Sequence, residues 1–229
     1  MNIRWLGHAA FELEADGTTV LIDPWLTGNP KAAASADDLG ADAILLTHGH
    51  QDHFGDLVSI AERTGATVVA ITEIAHELQE TLGEGHTVYD PNMGGTVTLP
   101  WGSVRIVPAW HTSTTPKGTP STPAGLLIEL GGKRVYHLGD TCLFSDLKLV
   151  KRYGRIDAAI MPIGGHYTMD RFDGVVAAEW IGADTIIPCH YGTFPPIETD
   201  AAAFKSDVEE RTGGKTTVEV LDPGGTFSL

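Results

Sequence analysis

The chain has 229 residues, 42% of them hydrophobic, and 30 acidic against 15 basic side chains give it a formal charge of −15. That length fits a single domain over residues 1–229 with room for a substantial core, and the charge disfavours nucleic acid as a partner. No run reaches the length of a membrane span, no signal peptide precedes the first strand-like residues, and Cys142 and Cys189 make no disulfide framework, so a cytoplasmic protein is expected.

Ile3 to Asp23 reads as strands. Phe11-Glu12-Leu13-Glu14 alternates, Ala15-Asp16-Gly17 is a turn signal, and Thr19-Val20-Leu21-Ile22 is an apolar run. Pro24 lacks a backbone donor, so the chain leaves the sheet there, and an Ala-rich loop from Lys31 to Ala36 follows. Asp42 to Thr72 predicts strand, polar turn, helix and strand, with the helix over Phe54 to Arg63. A helix over Glu73 to Leu82 ends at Gly83, and strands return from His86 to Leu130. Within that stretch the loop from Thr112 to Pro123 is long and rich in Thr, Pro and Ser, and reads equally as a flap near a site and as a mobile surface loop. The second half alternates strand and helix: strands over Lys133 to Leu138, Ala158 to Pro162 and Thr185 to Cys189, and helices over Asp146 to Tyr153, Phe172 to Ile181 and Asp200 to Arg211. Terminal strands around Val218 and Phe227 finish the chain. The expected fold class is α/β: an αββα sandwich of two mixed sheets with helices on the outer faces.

The chemistry concentrates in Thr47-His48-Gly49-His50-Gln51-Asp52-His53, an H-x-H-x-D-H turn between the apolar run Ala43 to Leu46 and a helix. Side chains two residues apart converge there, and imidazole and carboxylate are ligands for divalent ions. Three further candidates stand where strands stop. His111 ends one apolar run, Asp140 follows Gly139, and His190 follows Cys189. Singly, each reads more readily as a loop residue or one satisfied by hydrogen bonds. Together with the turn they make five histidines and two carboxylates, about the number that two four- to five-coordinate ions sharing a solvent oxygen need.

The order H-x-H-x-D-H, His, Gly-Asp, His resembles the metallo-β-lactamase superfamily along the whole chain. The resemblance implies an αββα sandwich with His48, His50 and His111 on one metal, Asp52, His53 and His190 on a second, and Asp140 bridging them. Zinc is the first expectation, and manganese, iron, cobalt or nickel also suit these ligands. Trp5-Leu6-Gly7-His8-Ala9-Ala10-Phe11, Ile22-Asp23-Pro24-Trp25 and Gly139-Asp140-Thr141 are similar to the branch containing L-ascorbate-6-phosphate lactonase and the N-acylphosphatidylethanolamine-hydrolysing phospholipase D. Met161 to Met169 and Pro188 to Pro195 resemble a widespread microbial group of metal-dependent hydrolases. Gly165, Tyr167 and Asp170 depart from that group's usual acidic residue, Phe and Gly.

The resemblance implies a dinuclear hydrolase in which a metal-bridging hydroxide attacks a small ester, lactone or phosphodiester. Asp52 is the expected catalytic residue, ligating one ion, orienting the nucleophile and passing a proton to the leaving group. Substrate contacts are expected from His8, His166, Thr168 and Thr193, though His8 and His166 read equally as groups that fix a ligand or as solvated loop histidines. His76, His86 and His137 are expected to be ordinary surface or core residues, and the two cysteines small buried fillers. A small-molecule substrate and self-association are the expected partners. The alternatives are a phosphodiesterase or nuclease, which the charge and the lack of an RNA-binding insertion disfavour, and a metal-binding or sensing protein with little turnover.

Overall fold

The computed structural model describes all 229 residues. Its order begins with β1 (Asn2–Gly7), β2 (Ala10–Ala15) and β3 (Thr18–Ile22). The β2–β3 turn places Asp16 and Gly17 at φ 52° and 79°, both left-handed, as a tight hairpin with right-handed strand twist requires. Next come β4 (Ala43–Leu45), α1 (Gln51–Phe54), α2 (Leu57–Thr64), β5 (Thr67–Val69), α3 (Thr72–Leu82) and β6 (Val88–Tyr89). The strands β7 (Thr96–Leu99), β8 (Gly102–Pro108), β9 (Ala124–Leu130), β10 (Lys133–His137) and β11 (Ala158–Pro162) lead to α4 (Arg171–Ile181) and β12 (Thr185–Cys189). The chain ends with α5 (Ala201–Thr212), β13 (Thr217–Val218) and β14 (Thr226–Ser228).

Two seven-stranded sheets result, ordered β14-β1-β2-β3-β4-β5-β6 and β13-β12-β11-β10-β9-β8-β7. Each joins an antiparallel meander to a parallel run: β3 to β6 in the first sheet, β10 to β13 in the second. Alternation along the strands decides the layers. Ala43 and Leu45 face the core between the sheets, with Ile3, Phe11 and Leu13 from the first sheet and Leu126, Ile128 and Ile160 from the second. Ile44 between them faces outward onto Leu57, Ile60, Ile74 and Leu78 of α2 and α3. Ala159, Met161 and Ile186 of the second sheet likewise meet Ala177, Ile181 and Phe204 of α4 and α5. Each such large apolar side chain contributes about 1.5–3 kcal/mol when fully buried. The architecture is the expected αββα sandwich.

Two local expectations are corrected. The helix after the polar turn is broken in two at Gly55, φ 35°. A Cβ there would sit 2.4 Å from the Trp25 Cα, so the chain crosses the strand-end loop of β3 too closely for any other residue or a continuous helix. The helix expected from Asp146 to Tyr153 is present over Ser145–Tyr153, but it is of the tighter 3₁₀ type. Its buried residues are Leu147 and Val150, and Tyr153 packs beside them, a spacing of three that suits three residues per turn.

Candidate metal centre

The site lies where strands of both sheets end. Thr47 to His53 follows β4, His8 follows β1, Asp23 follows β3, His111 follows β8, Asp140 follows β10 and His190 follows β12. Backbone strain gathers here: His8, Asp23 and His190 hold φ of 57°, 46° and 54°. Such conformations persist only where the surroundings over-determine them. The His8 carbonyl supplies one such tie, accepting the Trp5 indole N–H at 2.9 Å and the His190 amide at 3.0 Å, so it joins the two sheets under the site. Gly139 (φ 63°) lets β10 turn into Asp140, because a Cβ there would lie 2.4 Å from the Ala124 carbonyl oxygen.

All seven proposed ligands converge. His48, His50 and His111 present nitrogens within 4.8 Å of one another, as do the ligand atoms of His8, Asp52, His53 and His190, and those of His48, His53 and Asp140. Asp140 stands between the groups. Its Oδ2 is 3.1 Å from His190 Nε2, 3.5 Å from His111 Nε2 and 3.9 Å from His48 Nε2, and its Oδ1 is 3.4 Å from His53 Nε2. The carboxylate therefore touches histidines of both expected trios.

Cations fit this donor set. His53 Nε2 and both ring nitrogens of His190 are buried without a hydrogen-bond partner, a costly arrangement unless a ligand takes the lone pairs. His48 Nε2 and His50 Nδ1 stand 3.1 Å apart beside them. All donors are imidazole and carboxylate, with no thiolate. Cys189 is buried in the core, where burial pushes its thiol well up, while Cys142 is exposed, not the buried filler expected.

Asp23, which the sequence marked only as part of a similar motif, orients the turn. Its Oδ1 accepts the Thr47 amide at 2.8 Å, and its Oδ2 accepts the Thr47 hydroxyl at 2.6 Å and His53 Nδ1–H at 2.7 Å. With its proton directed to Asp23, the Thr47 hydroxyl accepts from His48 Nδ1–H at 3.1 Å. One buried carboxylate thus fixes the tautomers of His48 and His53 so that both Nε2 lone pairs face the centre. An Asp closing an apolar run just before Pro24 was the available signal.

His8 is fully buried between Asp52 Oδ2, 3.1 Å from its Nε2, and Thr193 Oγ1, 2.8 Å from its Nδ1. Burial lowers its pKa to about 4, against the opposing hydrogen bond to Asp52. Burial also works against the Asp52 charge, yet the His8 hydrogen bond and the charge of His53 hold that carboxyl far below its usual range. Neutral His8 therefore donates from Nε2 to Asp52 and accepts the Thr193 hydroxyl proton at Nδ1. His53 is pulled the other way: burial opposes its charge, but Asp140 and then Asp23 outweigh it and raise its pKa. Asp140 is lowered against its burial by His190 and His53.

A cavity of about 530 Å³ opens above these groups. Its floor is His50, Asp52, His111, Asp140 and His190, and its walls are Thr112, Tyr167 and Phe194. None of the four residues expected to contact substrate lines it. His8 and Thr193 are buried beneath it, His166 is exposed with its ring edge-on to Tyr167, and Thr168 is half-buried with its hydroxyl on the Met169 carbonyl. The Thr112 to Pro123 loop does lie at the site, and it is pinned: Ser113 Oγ accepts the Gly49 amide, and Thr115 Oγ1 donates to the buried Glu77 at 2.5 Å. His76 is exposed beside Asp90, His86 bonds to the Leu82 carbonyl, and His137 is buried in the interior.

Residues 2–190 match the model of the Beta-lactamase superfamily domain. A UPF0173 metal-dependent hydrolase of Methanopyrus kandleri is 46% identical, over 99% of each chain. This chain belongs to the UPF0173 metal-dependent hydrolase family of that superfamily. A second such relative, from Ligilactobacillus salivarius, is 45% identical over 97% of this chain and 99% of its own. A metallo hydrolase from the hyperthermophilic archaeon Ignicoccus hospitalis superposes with a TM-score of 0.88 at 35% identity, over 100% of this chain and 98% of that one. The two mixed sheets and outer helices of this UPF0173 chain are thus those of the metallo-β-lactamase fold. No helix is long and apolar enough to cross a membrane.

Proposed function

We propose that this chain is a metal-dependent hydrolase with a dinuclear centre, acting on a small ester, lactone or phosphodiester. The observation that carries the reading is the Asp140 carboxylate, 3.1–3.9 Å from four imidazole Nε2 atoms drawn from both trios. His48, His50 and His111 would hold one ion, Asp52, His53 and His190 the other, and Asp140 both. Bound divalent ions, zinc first, would supply an activated water and polarise the scissile bond.

The chain's own residues do the rest. Asp23 keeps two imidazoles in the ligating tautomer. His8 hydrogen-bonds Asp52 Oδ2, which also lies 3.9 Å from His190 Nε2, and so holds that carboxylate beside the centre, where Asp52 can hold and pass on a proton. Thr112, from the Thr112 to Pro123 loop, and Phe194 stand in the cavity wall. An acidic surface and the absence of basic side chains in the cavity lining argue against the nuclease alternative.

The test begins with elemental analysis of untagged protein purified without chelator. About two zinc or manganese ions per chain are expected for a paired centre of this kind, together with turnover of an aryl ester, a lactone or a bis-aryl phosphodiester. Asp52→Asn should keep much of the metal and lose most turnover; full activity with full metal removes Asp52 from proton transfer. Tight metal with no hydrolysis of any of the three would favour the sensing alternative.

A further inference from the structure

Apart from the proposed ligands, the cavity is walled by one hydroxyl side chain and two aromatic rings: Thr112, Tyr167 and Phe194. No Lys or Arg lines it. The two basic residues on the bordering loops are committed elsewhere. Lys117, on the Thr112 to Pro123 loop, donates from Nζ to Thr81 Oγ1 at 2.6 Å. Arg171, at the start of α4, pairs with Asp207 and lies over the Phe172 ring at 4.2 Å. A second anionic group on a substrate would therefore enter a cavity with no Lys or Arg to pair it, in a chain of formal charge −15. Desolvating an unpaired anion in such a place is strongly unfavourable.

Two aromatic rings line the slot above the centre. Phe194 is fixed, stacked on Trp25 at 6.0 Å and edge-on to His8 at 5.7 Å. Tyr167 is 54% exposed and backed by the His166 ring at 4.5 Å. Aromatic rings lining a cavity reward an apolar or planar group packed against them.

Resting on the hydrolase reading above, we infer that the site takes a substrate whose one polar focus is the scissile group, flanked by an apolar or aromatic moiety, with no second anionic group. Tyr167 and Phe194 are its specificity-determining residues. Substrates with a distal phosphate or carboxylate are disfavoured.

Metal-loaded protein would be assayed with 4-nitrophenyl butyrate and 4-nitrophenyl hydrogen succinate, which share leaving group and acyl length and differ in a distal carboxylate. The expected kcat/KM ratio favours butyrate by at least about tenfold, the scale of an unpaired charge made to shed part of its water. Tyr167→Ala should shrink that ratio and Tyr167→Phe preserve it. A ratio near one, or a preference for succinate, overturns the inference. Saturation-transfer NMR with the uncleaved analogues N-phenylbutanamide and N-phenylsuccinamic acid reads the same preference without turnover. If neither ester is cleaved but the butanamide alone binds, and Tyr167→Ala abolishes that binding, the slot stands and the ester reading falls. If the acid binds as well as the neutral amide, or neither binds, the inference falls.

Discussion

The floor and the walls of the cavity are built by opposite means. In the floor and directly beneath it, Asp140, His190, His48 and His53 are buried at strand ends and held by Asp23, Thr47, the His8 carbonyl and left-handed backbone. The walls Thr112 and Tyr167 are exposed and stand on loops, and Phe194 alone is locked by neighbours. Chemistry that needs several donors within a few tenths of an ångström sits on the rigid sheets, whereas selectivity sits on segments that vary without disturbing them.

The hardest blow to the floor is Asp140→Ala. It removes the one carboxylate that touches four histidines, and metal content should collapse with at least about a 10³-fold loss of kcat/KM, as several kcal/mol of stabilisation go with the centre. Retained metal and activity would show that the two trios work without a bridge. Asp23→Ala should weaken metal affinity by about 10–100-fold, the usual effect of removing a group that orients a ligand; competition with a chromogenic chelator reads it. If affinity is unchanged, the tautomers of His48 and His53 are set by something else.

Acid should loosen the floor of metal-stripped protein. His8 titrates at about 4 against an ordinary 6.5, and burial lowers His48, His50, His111 and His137 too. Below about pH 6.5 the unfolded chain takes up protons that these folded imidazoles refuse, so their contribution is complete above that pH and is lost as pH falls toward 4. His53, raised, acts in the opposite sense: its contribution is present at low pH and lost as pH rises through its folded value. The five outnumber the one, so Tm should fall between pH 7 and 4.5. A flat Tm across that range would mean the imidazoles stay solvated.

The smallest effect is expected from Glu77→Ala, which frees Thr115 and the wall loop while leaving every ligand in place. KM should rise about threefold with kcat little changed, as for loosening of a loop that covers a site, and trypsin should cut faster at Lys117. An unchanged cleavage rate would place the anchor of this loop at Ser113 and Gly49 instead.

Much of the floor was legible before any coordinates. The H-x-H-x-D-H turn is local, so its three histidines and Asp52 declare themselves by spacing, and His111, Asp140 and His190 each end an apolar run that alternation marks as a strand. The layers were legible for the same reason, since one register decides which face of Ala43, Ile44 and Leu45 meets which neighbour. The break of the helix at Gly55 was not, because its cause is Trp25, thirty residues earlier.

The sequence by itself therefore determined the sandwich and which imidazoles and carboxylates stand at the strand ends, because period and local spacing are properties of adjacent residues. Only the tertiary structure decided what each polar group meets: that Asp23 serves His48 and His53, that His8 and Thr193 lie beneath the floor, and that Tyr167 and Phe194 form the walls. Those pairings join residues far apart in the chain, and burial and hydrogen-bond partners exist only once both sheets have closed on each other.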